Sequence, residues 1–137
     1  MLGRTISEGN RCAPDRICGP DNIRYVESIR NLLVAEDTGL RNSNSVWAFN
    51  VDTRTLARIL SVPMNAEATG LTVVEDYNGF AYIMSSFQHP GEGLLPGYAG
   101  GDKAEVVAAI DRKWAGRKKA AIGYLGLRGG GALPALK

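Results

Sequence analysis

The stretch IRYVESIRNLLVAEDTGLRNSNSVWAFNVDTRTLARILSV, residues 23–62, decides the fold. Two short runs, 23–27 and 32–36, flank a turn at 28–31. Within 45–51, Val46, Ala48 and Asn50 alternate with Trp47, Phe49 and Val51. That period of two puts successive side chains on opposite faces of a strand. Asp52, Thr53, Arg54 and Thr55 form a tight turn that feeds a fourth run, 56–62. Four short strands separated only by turns predict an antiparallel meander.

The pattern continues downstream. Runs 69–74 and 80–86 flank a second turn made of Glu75, Asp76, Tyr77, Asn78 and Gly79. The order Val26-Glu27, turn, Leu32-Leu33-Val34 recurs 48 residues later as Val74-Glu75, turn, Phe80-Ala81-Tyr82. A period in the forties built from four short strands is the rhythm of a propeller blade, although any antiparallel meander repeats its hairpins. The expected fold is therefore mainly β: a partial β-propeller of about one and a half four-stranded blades, with a C-terminal helix and irregular tails. One blade spans 23–62 and the inner half of the next spans 69–86.

Four segments follow from this reading. Residues 1–22 are an irregular arm punctuated by Gly3, Gly9, Pro14, Gly19 and Pro20; 23–86 hold the strands; 87–102 are a Gly/Pro-rich loop; 103–137 are a basic helix and tail. Asp102 with Glu105 makes a capping-box pattern, and Val107, Ile110 and Trp114 give an apolar stripe, so a helix is expected over 103–115 with Trp114 and Val107 packed on the sheet. Residues 128–137 carry no period.

The net charge of +2 hides a split: 1–102 hold eight Arg, no Lys and twelve acids, whereas 103–137 hold five Lys, three Arg and two acids. A tail of net +6 suits an acidic protein surface or an anionic membrane surface, or is simply a solvated basic helix. Aromatic residues do not interleave with the basic ones as in single-strand binders, so nucleic acid is not an expected partner. No apolar run approaches the ~20 residues of a membrane-spanning helix. The first eight residues lack the apolar core of a secretory signal. Cys12 and Cys18 have too few companions to bind zinc; they are either a local disulfide, which implies an oxidising compartment, or two inert thiols.

In an antiparallel blade, the loop entering it and the loop between its second and third strands share one end. Those loops contain Asp21, Glu36, Asp37, Glu67 and His89, with Asn22, Asn42, Asn44 and Glu92 beside them. Such an oxygen-rich group matches the ligand set of a hard cation such as calcium. Asp21 and Asp37 are also ordinary turn residues, Glu67 an ordinary solvated acid and His89 an ordinary structural histidine.

Seven runs then come in a familiar order: Gly19-Pro20-Asp21-Asn22, Val34-Ala35-Glu36-Asp37-Thr38-Gly39, Asn44-Ser45-Val46-Trp47, Leu56-Ala57-Arg58-Ile59, Glu67-Ala68-Thr69-Gly70, Gly79-Phe80-Ala81-Tyr82-Ile83-Met84 and Gln88-His89-Pro90-Gly91-Glu92. Over 19–92 the chain resembles the C-terminal end of the PhoX-type alkaline phosphatases, with a looser similarity at Gly123-Tyr124-Leu125-Gly126. The resemblance implies a propeller that carries calcium and iron and hydrolyses phosphomonoesters in an exported enzyme. It implies that Asp21 and Glu67 are metal-site acids, with Glu36, Asp37 and His89 as softer candidates. Family members are several times longer, and their iron-binding cysteine lies in an earlier segment, so Cys12 and Cys18 do not take that role. Two functions are expected: a non-catalytic interaction subunit of a larger protein assembly, or a portion of a phosphomonoesterase active only when other segments complete it. Unpaired sheet edges and an incomplete ring favour the first.

Overall fold

A computed structural model describes residues 11–91, 103–114, 119–134 and 136. Strands β1 (Pro20–Val26), β2 (Asn31–Glu36), β3 (Ser45–Asn50) and β4 (Leu56–Ser61) form one antiparallel sheet in that order. Strands β5 (Glu67–Tyr77), β6 (Phe80–Gln88) and β7 (Ala121–Gly126) form a second, also antiparallel. Helix α1 (Lys103–Trp114) lies between β6 and β7 in the chain. The fold is mainly β, two antiparallel sheets and one helix with no closed barrel among the described residues.

The meander expected over 23–62 and the hairpin over 69–86 are both present. The turn at 28–31 is a short 3-10 turn, Glu27–Ile29, that ends on Arg30 in the left-handed region at φ 54°. Its neighbours hold that conformation: Arg30 Nε and Nη2 each donate to Asp52 at 2.9 Å, and Nη1 donates to the Tyr25 hydroxyl at 2.7 Å. Asn50 secures the next turn. Its Nδ2 donates to Asn31 Oδ1 and to the Ile29 carbonyl, and its Oδ1 accepts from the N–H groups of Asp52 and Thr53.

Two expectations are corrected. Glu67 and Asp21 lie inside β5 and β1 rather than in loops, because both strands extend further than their apolar runs. Strand β7 was not expected, since Ala-Ile-Gly-Tyr-Leu-Gly has neither a clean alternation nor enough β-branched residues to mark it. The helix is found where it was expected. The capping residue Asp102 and the side chains of Val107, Ile110 and Trp114 lie outside the described residues, as does Glu92.

The core lies between the sheets. On the inner face of the first sheet Val26, Leu33, Ala35, Val46 and Ala48 are buried, and Leu71, Val73, Ile83 and Phe87 of the second sheet pack against them. Small residues at 35, 48, 66 and 68 let the backbones approach on the β2–β5 side. On the other side, where β4 faces β7, the sheets splay around an apolar cleft of about 640 Å³ lined by Leu60, Val62, Ile83, Phe87 and Leu125. No helix among the described residues is long and apolar enough to cross a membrane.

Candidate functional site

The acids expected to gather at one end of the sheets divide into two groups. Glu67, the first residue of β5, pairs with Gln88, the last residue of β6. That register sets Gln88 Nε2 at 3.3 Å from Glu67 Oε1, and it brings His89 Nε2 within 3.2 Å of Glu67 Oε2. His89 sits in the left-handed region at φ 37°, and the next turn is pinned by the Gly91 N–H donating to the Met64 carbonyl. Asp21 is exposed and accepts from Asn22 Nδ2. Asn22 also ties the sheets together, its Oδ1 accepting from Thr69 Oγ1 at 3.3 Å and from the Gly70 N–H at 3.2 Å. Gly70 is required there: its φ is +64°, and a Cβ would lie 2.7 Å from Ser86 Oγ.

Glu36 belongs to a different environment. Ala35 packs against Ala66 and Ala68 on the inner face, so its neighbour Glu36 points to the outer side of the first sheet. The residue is fully buried. Its Oε1 accepts from the Cys18 N–H at 2.7 Å and from Trp47 Nε1 at 2.8 Å, while Oε2 lies 3.6 Å from Arg41 Nη1. Burial pushes the Glu36 carboxyl above the usual carboxylate range, against the pull of the Cys18 N–H, Arg41, Trp47 and the Ser45 N–H. Burial likewise pulls the Arg41 guanidinium down, with Glu36 opposing.

A loop closed by a Cys12–Cys18 disulfide covers this group. Arg41 Nη2 donates to the carbonyls of Ala13 and Arg16, and Arg58 Nη2 donates to that of Pro14. Both guanidiniums also lie over the Trp47 ring, 5.9 and 5.3 Å from its centroid. Asp37 stays exposed beyond the loop, its N–H donating to the Gly19 carbonyl. The five sequence candidates therefore do not converge: Glu67 and His89 are in contact, Asp21 is linked towards β5 through Asn22, and Glu36 is committed to Arg41 and Trp47 across the first sheet. Among the described residues, no three His, Cys, Asp or Glu side chains come together as a metal cage. Sequence reading missed Arg41 and Arg58, and it gave Asn22 as an oxygen beside the acids rather than as the tie between the sheets; these roles depend on the register that brings distant segments together.

The outer faces form a second candidate surface. Alternation places Ile23 and Tyr25 of β1 outward, opposite Val34 and Leu32. On the second sheet Phe80, Tyr82, Met84, Ile122 and Tyr124 share the outward face. Ile122 is 78% exposed and Tyr124 69%. Their aromatic neighbours interlock, with Tyr82 5.2 Å from Tyr124 edge to face and 6.3 Å from Phe80.

The chain matches no family model, no curated protein and no solved structure.

Proposed function

We propose that this chain is a non-catalytic interaction element, a stretch of a larger propeller-type β-sheet stack that works packed against further protein. One observation carries the reading: the outer face of the second sheet, and the β1 end of the first sheet's outer face, keep apolar and aromatic side chains uncovered. A free-standing sandwich alternates apolar inward with polar outward residues. A sheet inside a propeller has a neighbour on each side and is apolar on both faces. The resemblance of 19–92 to the PhoX-type phosphatases supports the same architecture. Arg112, Lys113, Lys119 and Arg128 are exposed and would add attraction to an acidic partner.

The metal centre implied by that resemblance is not completed by the described residues. Calcium takes six to eight oxygen ligands. Here Glu67 is engaged by Gln88 and His89, and Glu36 by Arg41. The test is a phosphomonoesterase assay on the purified chain supplied with calcium and iron. No turnover above background is expected, because positioning and charge stabilisation need the whole constellation. Robust turnover would overturn the reading.

A further inference from the structure

Among the described residues the two sheets end in four edge strands, and three of them are guarded. Strand β1 carries Pro20, Asp21 and Arg24; β4 carries Arg58; β5 carries Glu67, Glu75 and Asp76 and is interrupted by register shifts. These are the usual protections against edge-to-edge pairing. Strand β7 has none: Ala121-Ile122-Gly123-Tyr124-Leu125-Gly126 holds no charge and no proline, and β6 occupies only one of its sides.

The geometry points to a second copy of this chain as the occupant of that edge, paired antiparallel, β7 to β7, about a twofold axis at Gly123. Identical strands pair antiparallel with self-complementary contacts, as an isologous interface requires. A twofold axis perpendicular to the sheet keeps the outer faces of both copies on one side, and so pairs residues of equal parity. With Gly123 opposite Gly123, Ile122 of each copy falls opposite Tyr124 of the other. Aromatic against β-branched is a favourable cross-strand pair. The exposure of these two side chains and the contact of Tyr124 with Tyr82 then become parts of one six-stranded outer face. The axis position is open, since nothing lies within 4 Å of where a Gly123 Cβ would be, so a side chain placed there meets no obstacle within its own copy. The proposal rests on the interaction role inferred above for the apolar face that it extends, while the unguarded edge is evidence of its own.

Cysteine cross-linking of the full chain tests it, because the native cysteines are buried and bonded to each other. Gly123→Cys should give a disulfide-linked dimer under mild oxidation. Ile122→Cys alone and Tyr124→Cys alone should not, whereas an equimolar mixture of the two should cross-link as a mixed dimer. In sedimentation equilibrium, Ile122→Lys should weaken the dimer about tenfold or more by setting two lysines against apolar partners at the new edge. A wild-type chain that stays monomeric would overturn the inference. So would an association that persists in Ile122→Lys and gives no link through Gly123→Cys, which would leave the outer-face reading standing with a different partner.

Discussion

Replacing Glu36 by alanine removes the acceptor of two buried donors, the Cys18 N–H and Trp47 Nε1, and leaves Arg41 without its carboxylate. A buried donor left unsatisfied costs about 1–3 kcal/mol, and stripping one partner from a buried ion pair costs about 3–5 kcal/mol. These costs overlap, so Glu36→Ala should lose about 3–5 kcal/mol, a large part of the stability of a domain this size. Glu36→Gln should behave differently. The amide keeps one oxygen for the Cys18 and Trp47 donors but offers Arg41 no charge, so this replacement should cost clearly less than alanine without being neutral. Urea unfolding of oxidised protein, followed by Trp fluorescence, reads both variants. The reasoning is refuted if Glu36→Ala lies within about 1 kcal/mol of wild type, or if Glu36→Gln costs as much as alanine.

Further outcomes follow from the same geometry. Because the folded-state value of Glu36 is raised, its contribution is fully present below the unfolded carboxyl value of about 4.3 and is lost as pH rises through the folded value; Glu36→Gln should lack that slope in stability measured against pH. Reducing the Cys12–Cys18 bridge, a loop of about seven residues, should lower stability by about 2 kcal/mol by the chain-entropy relation, and proteolysis should then enter first near Arg16. Gly70→Ala should cost at least about 1–2 kcal/mol, because its left-handed backbone disfavours any side chain and the new Cβ meets Ser86; thermal unfolding reads this directly.

Strand alternation at 45–51 and the turn residues around Asp52 and Asn78 were legible because local chemistry alone fixes them. The meander, the hairpin after it and the helix followed from equally local signals. Strand β7 was not legible, because its two glycines erase the alternation and only β6 beside it imposes the extended backbone. The candidate site was legible in composition but not in arrangement. Glu36 sits one residue from Ala35, and that single step sends its side chain through the sheet, away from Glu67 and under the disulfide loop. Nothing in the residues around Arg41 and Arg58 announces that they meet over Trp47, since that depends on loops and strands distant in the chain.

The claim that the uncovered outer surface of β1 and of the second sheet awaits further protein is tested most directly by binding of an anilinonaphthalene sulfonate dye to the chain, kept dilute enough to be monomeric. The wild-type chain should enhance dye fluorescence strongly. A triple variant, Ile23→Thr, Ile122→Thr and Tyr124→Thr, which changes the most exposed of these side chains, should lose most of that enhancement while it stays folded. A wild-type chain that binds no dye, or a triple variant that unfolds because those side chains belong to the chain's own core, would contradict the account.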